Sequence, residues 1–384
     1  MIADGPSPAG VAATSDMGAL VLDARMLSTG IGTYTRNLVE QLTQQSDIPL
    51  RLLTLPRYLE TLSKYKCSVS IVDVSIYSIS EQFRIRQAAK HFEVLHVPHY
   101  NAPLLRKGTL LVTIHDLNHI LDRSYRRSMK SIVYAQPMLR LVARRADHIF
   151  TVSDYSKRQI MEHLGADAER ITVVYNAIGA HIAREDHDPA RESTNRDFAF
   201  DGPYILFVGN LKPSKNVQGL LKAFSVVASR SRVPHRLLLI GDDVAGRRLL
   251  TDLRRQLKLE SKVISVPRVR DSQLRRAYSG ADLTVLPSFE EGFGLPIVES
   301  MACGTPVACS RSACLPEIAG NAAEYFDPHD IEEIAEVVER VLSSADRQRE
   351  LRQLGIERAR RFTREAFAHR HIEVYRRYLG QREA

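Results

Sequence analysis

At about 150 residues per domain, a chain of 384 residues has room for two or three domains. Its hydrophobic fraction of 44% and charged fraction of 26% are ordinary for a globular protein and exclude a disordered, collagen-like or coiled-coil chain. The formal net charge of +8 suits an anionic partner: nucleic acid, a membrane surface or a phosphorylated substrate.

The first 18 residues, MIADGPSPAGVAATSDMG, carry no basic residue and no apolar core. A floppy tail is expected there, not an export signal, and a cytoplasmic location follows as the expectation. From Ala19 the pattern alternates between short apolar strands and amphipathic helices. Strands are expected at Ala19–Leu22, then at LRLLTL, VSIVDV, EVLHV, TLLVTI, HIFTVS and ITVVYN, with a helix from about Ile31 to Gln44. The charged run from Ala180 to Asp201 has no apolar stripe and reads as a linker. Beyond it the alternation restarts with YILFVG, RLLLIG, VISV, LTVLP and PVACS. Val217, Leu220, Leu221, Phe224 and Val227 form a helical stripe, and the last sixty or so residues are helical in pattern. The expected organisation is a tail at 1–18, a Rossmann-like domain at 19–180, a linker at 181–201 and a second Rossmann-like domain at 202–362. A C-terminal helix at 363–384 is expected to cross back to the first domain. No apolar run reaches the roughly 18 residues of a membrane span.

Alternating strand and helix gives an α/β protein with two doubly wound parallel sheets, whose ligands bind beyond the carboxyl ends of strands. The sharpest loop in such a position is PSFEEGFGLPIVESMACGTPVA, from Pro287. Gly292 and Gly294 permit a tight turn that exposes amides, and Pro296 suits a first helical turn. A helix N-terminus of this kind favours a phosphate. Glu291 precedes the turn, and Glu299 lies one turn inside the helix, where its side chain leans back toward the N-terminus. A carboxylate there can accept two hydrogen bonds from a sugar diol.

Glu, seven residues, Glu, with GFGLP between and GTPV after, resembles the signature of the retaining glycosyltransferases of family 4. SGADLTVLPS and LPEIAG continue the likeness, which extends over about Leu20 to Tyr378. It implies the GT-B fold, with a nucleotide-sugar held between two Rossmann-like domains. It assigns Glu291 to the donor sugar and diphosphate, and Glu299 to the ribose. Phe293 and Leu295 accompany the glycine turn. In FVGNLKPSKN, Gly209 and Asn210 follow a strand and Lys215 is the expected diphosphate partner; relatives often place Arg where Asn210 stands, and Lys212 is the substitute. In DARMLSTGIGTYTRNL, Gly30 and Gly32 resemble the family loop that borders donor and acceptor. As a dinucleotide fingerprint this segment fails, because Thr35 replaces the third glycine. His115 and Asp116 end a strand facing the cleft, where the family has a histidine near the donor sugar. His99, Tyr100 and Asn101 are expected acceptor contacts.

Arg123, Arg126, Arg127, Lys130, Arg140, Arg144 and Arg145 interleave with apolar residues. This pattern fits either a core helix with a basic outer face or a helix lying on an anionic membrane. No metal is expected: the sole D-x-D is Asp186–Asp188 in the charged run, and Cys303, Cys309 and Cys314 lack zinc-site spacing. No obligatory cofactor is expected beyond the nucleotide-sugar. GDP-mannose is the expected donor and a UDP-hexose the alternative, with a glycan or lipid-linked acceptor at the inner membrane's cytoplasmic face. A nucleotide-sugar epimerase or sugar phosphorylase of the same fold is the more distant reading. Nucleic-acid binding lacks any recognition motif.

Overall fold

Runs of Leu, Val and Ile bounded by polar loops become strands buried on both faces, as parallel sheets covered by helices require. The computed structural model describes residues 20–27, 30–76, 78–89, 93–104, 108–121, 131–230, 234–242 and 244–380. The tail expected at 1–18 lies outside them, as do Arg123, Arg126, Arg127 and Lys130 of the basic stretch. The first sheet has seven strands: β1 (Leu20–Asp23), β2 (Leu50–Thr54), β3 (Ser68–Ile71), β4 (Val94–Val97), β5 (Thr109–Thr113), β6 (His148–Thr151) and β7 (Ile171–Val173). They pair in parallel in the order β3-β2-β1-β4-β5-β6-β7. The second has β8 (Tyr204–Val208), β9 (Arg236–Ile240), β10 (Val263–Val266), β11 (Leu283–Leu286), β12 (Val307–Ser310) and β13 (Glu324–Phe326). Their order is β10-β9-β8-β11-β12-β13, also parallel. These are the two doubly wound sheets expected from the alternation.

Each sheet reverses its winding once, between β1 and β4 and between β8 and β11. At such a reversal the loops on either side diverge and leave a crevice at the strand ends.

The charged run read as a linker contains a helix, His187–Phe198. Its buried side is only Ala190 and Thr194, too small a stripe to register as apolar periodicity. It is tied to the second domain by Arg191 to Asp282, just before β11, at 2.5 Å and by Arg276, on the helix Asp271–Ser279, to Asp197 at 2.7 Å. The C-terminal helix, Arg364–Leu379, returns to pack on the helix Gly30–Gln45 and on β4 of the first sheet. It buries Phe367, His371 and Tyr375 there. No helix among the described residues is long and apolar enough to cross a membrane.

Candidate active site

The two crevices face one another and enclose a cavity of about 260 Å³. Ile31, His99, Tyr100, His115 and Asp116 line it from the first domain, and Asn210, Lys212 and Lys215 from the second. Residues about a hundred positions apart in the chain thus share one wall.

On the second domain, Pro213–Lys215 form a short 3-10 turn that presents Lys215. Its ammonium sits 2.5 Å from Glu291 Oε1, which also accepts a hydrogen bond from Ser288 at 2.9 Å. An ammonium has three donors, so this pairing leaves two for another anion. Gly294 adopts a φ of +87°, the left-handed region, and opens the helix Leu295–Ala302 with Pro296 in its first turn. One turn along, Glu299 is 7% exposed and accepts the Tyr278 hydroxyl at 2.8 Å. Burial pushes its carboxyl up to about 7, only partly opposed by the Tyr278 hydrogen bond. Gly209 and Gly241 let two loops pack back to back, since a Cβ on Gly241 would overlap the Gly209 carbonyl oxygen. Asn210 is exposed, and its side-chain oxygen accepts the Lys212 amide at 3.3 Å.

On the first domain, His115 follows β5 and donates from Nε2 to the Pro98 carbonyl, 3.1 Å away. A carbonyl only accepts, so Nε2 carries the proton and Nδ1 is left as an acceptor. Burial lowers the pKa of His115, which keeps the ring neutral. Asp116 is turned by its own loop, accepting the Asn118 amide at 3.0 Å.

Behind His115 lies a buried chain of hydrogen bonds to the C-terminal helix. His371 Nδ1 donates to the Phe367 carbonyl at 2.8 Å, so its Nε2 accepts from the Tyr34 hydroxyl at 2.6 Å. Tyr34 then accepts from Thr113 at 3.0 Å, Thr113 from His96 Nε2 at 2.9 Å, and His96 Nδ1 from Tyr375 at 2.6 Å. One assignment of protons satisfies every member, and it requires both histidines to be neutral. Burial agrees: it pushes His371 down to about 3 and His96 well below its ordinary value. The Tyr34 ring meets His115 edge-on, with centroids 4.9 Å apart, so the C-terminal helix indirectly sets the His115 ring.

The two domains touch directly beside the cavity. Ser153 caps the helix Asp154–Leu164 and donates its hydroxyl to the Gly292 carbonyl at 2.7 Å. Glu317, from the LPEIAG segment, accepts the amides of Asp154 and Tyr155 at 2.7 and 2.9 Å. A carboxylate at a helix N-terminus is favoured by both free amides and helix dipole. A Cβ on Gly292 would overlap the His115 carbonyl oxygen, so glycine there permits the close approach of the domains.

Some expected residues sit elsewhere than the cavity wall. Asn101 is 1% exposed and is held inside the first domain by Glu81 and by the Tyr134 hydroxyl, so it does not line the cleft. The Phe293 ring is 3% exposed against Tyr175 and Phe362, which leaves only its backbone to a ligand. Leu295 likewise packs its side chain against the core. A Cβ on Gly32 would overlap the Leu27 backbone of its own loop, and Gly30 has open space around it. Sequence reasoning did not find Tyr278, Ser288 or Glu317 as site residues; Tyr278 and Glu317 act through partners distant in the chain, whereas Ser288 bonds Glu291 within its own loop. Among the described residues no three His, Cys, Asp or Glu side chains cluster as metal ligands.

Residues 191–361 match the family model described as glycosyl transferases group 1, and residues 28–180 match that described as Glycosyltransferase Family 4. The chain is 31% identical over 290 residues to O-antigen chain mannosyltransferase B of Escherichia coli, covering 74% of each chain. It is 26% identical over 342 residues to the serotype-specific mannosyltransferase WbdA of Escherichia coli, covering 85% of this chain but spanning only 40% of that relative. Among solved structures, Anabaena Alr3699/HepE in complex with UDP and glucose is similar with a TM-score of 0.76 at 16% identity, covering 93% of this chain and 98% of that one.

Proposed function

The chain belongs to the group 1 glycosyltransferases and has their GT-B fold, and on that premise we propose that it moves a mannosyl group from GDP-mannose, with retention of configuration, to a hydroxyl of a glycan or lipid-linked acceptor. The observation that carries this reading is the shared cavity, where His115 and Asp116 face Lys215 and, paired with it, Glu291. The mannosyl donor is supported by the two Escherichia coli relatives, both of which are mannosyltransferases.

In this reading the diphosphate lies at Lys215 and the amides that open the helix Leu295–Ala302. Both meet negative charge as it develops on the leaving group, which is where preorganised donors act most strongly. Glu299 accepts the ribose diol, Glu291 orients the sugar and Lys215, and His115 Nδ1 accepts a sugar hydroxyl. The bond from the anomeric carbon to the phosphate oxygen breaks while the bond to the acceptor oxygen forms on the same face. The acceptor's proton passes to the departing phosphate oxygen. No metal is needed in this scheme. Exposed Arg140, Arg144 and Arg145, beside exposed Ile132, Val133 and Leu141, support placing the first domain on the cytoplasmic face of an anionic membrane.

Thermal-shift titration with GDP, UDP and their sugars tests the donor. A ligand at about 100 times its dissociation constant stabilises by about 2.7 kcal/mol. Stabilisation by GDP and GDP-mannose above UDP and UDP-glucose is expected; the reverse order would assign a UDP-hexose donor instead.

A further inference from the structure

The segment 210–216 borders two cavities. Asn210, Ser214 and Lys215 line the cleft between the domains, whereas Leu211, Pro213 and Asn216 line a second cavity within the second domain. Lys212 lines both. The second cavity is the larger, about 500 Å³ against about 260 Å³. It lies at the carboxyl end of the second sheet, where the loops after β8, β11 and β13 meet. Those loops are fastened to one another: the Phe289 amide donates to the Ser214 carbonyl at 2.8 Å, and Asn216 Nδ2 donates to the Pro328 carbonyl at 2.7 Å. The helices Val217–Arg230 and Val244–Gln256 supply the remaining walls.

Those walls are largely apolar, with Leu211, Val217, Leu250, Ile331 and a half-exposed Leu249. The rings of Phe289 and His329 stack on one another, centroids 4.6 Å apart and 22° from parallel, and add a flat aromatic surface. Lys212 and Lys222 bring two ammonium groups and Gln218 an amide, while no acidic side chain among the described residues lines the cavity. Small-molecule sites have this make-up: about 300–1,000 Å³, mostly apolar and aromatic, with a few polar groups that fix orientation. Two ammonium groups without a carboxylate call for an anion, and a phosphate dianion matches their charge. The aromatic and leucine walls suit a flat ring. The Gln218 amide, both donor and acceptor, suits a ring that carries heteroatoms.

We propose that this cavity is an effector site for a nucleoside monophosphate, and that its occupant weakens donor binding in the cleft. Lys212 is the link, because a phosphate drawn to it in one cavity lessens its attraction for a diphosphate in the other. By linkage the donor weakens the effector to the same degree. The effect on the donor rests on the glycosyl-transfer reading above; the binding itself does not.

The test is equilibrium dialysis of AMP and UMP, a purine and a pyrimidine, against the intact protein. At least one should bind about tenfold or more tightly than its parent nucleoside and than inorganic phosphate, the worth of one charge-assisted hydrogen bond. Lys222→Ala and Leu249→Ser, at exposed positions outside the cleft, should each weaken that binding about tenfold. Glu299→Gln, altered within the cleft, should retain it. Without the nucleotide, the Lys222 and Leu249 variants should keep the parent's kcat/KM. With it, the donor KM should rise about fivefold or more in the parent and less in those variants. Binding of neither nucleotide, or binding undiminished in both cavity variants, would overturn the site. Binding in the cavity with an unchanged donor KM would overturn its link to the cleft. Absence of any transfer, with binding still dependent on Lys222 and Leu249, would overturn the glycosyl-transfer reading and leave the site standing.

Discussion

Glu299→Gln is expected to make the protein more stable at alkaline pH and less able to hold its donor. Glu299 is nearly inaccessible, and burial holds its carboxyl near 7 against an ordinary 4.5. Between those values the unfolded chain ionises this group and the folded chain does not, so the folded state binds more protons and stability falls as pH rises. Above pH 7 the full cost is present. The displacement from 4.5 to about 7, at 1.36 kcal/mol per pKa unit, corresponds to about 3 kcal/mol. Gln is neutral at every pH and still accepts the Tyr278 hydroxyl that Glu299 accepts at 2.8 Å. Differential scanning calorimetry at pH 8.5 should therefore show the variant melting several degrees above the parent, with the gap closing near pH 4.5. Added nucleotide should raise the parent's Tm more than the variant's, because an anionic acceptor for the ribose diol is gone. A variant that melts at or below the parent at pH 8.5 would refute the picture of a carboxylate ionised at the expense of stability.

Lys215→Ala removes the cation 2.5 Å from Glu291 and should lower kcat by about ten- to a hundredfold with little change in Tm, measured by steady-state kinetics beside calorimetry. Gly292→Ala places a methyl group against the His115 carbonyl and must push the domains apart; about a hundredfold loss of turnover is expected, with the circular dichroism of the fold retained. Excess chelator should leave activity intact; complete loss restored by manganese would contradict a metal-independent reaction.

The parts of the site that were legible in the chain are those encoded by local backbone needs. Gly294 at φ +87° and Pro296 in the first helical turn state their geometry in their residue types, and the strand before them marks the sheet edge. Alternation of strands and helices sufficed for both sheets, although β13, only three residues long, is too short to show a period. What was not legible depends on partners far away in the chain. Asn101 has the polarity of a cleft residue, yet Glu81 and Tyr134 draw it inward. Glu317 reads as a helix-start glutamate until the other domain supplies the amides of Asp154 and Tyr155. The helix His187–Phe198 escaped notice because ion pairs to Asp282 and Arg276, not an apolar stripe, fasten it.

The central claim is mannosyl transfer with retention at the cavity between the domains. Nuclear magnetic resonance of the product formed from GDP-mannose and a mannoside acceptor tests it most directly, because the one-bond carbon–proton coupling at the new anomeric centre reports its configuration. The account predicts an α-linked mannosyl product from the α-linked donor, abolished when Lys215 and Glu291 are both replaced by alanine. A β-linked product, or an α-linked product formed undiminished by that double variant, would contradict it.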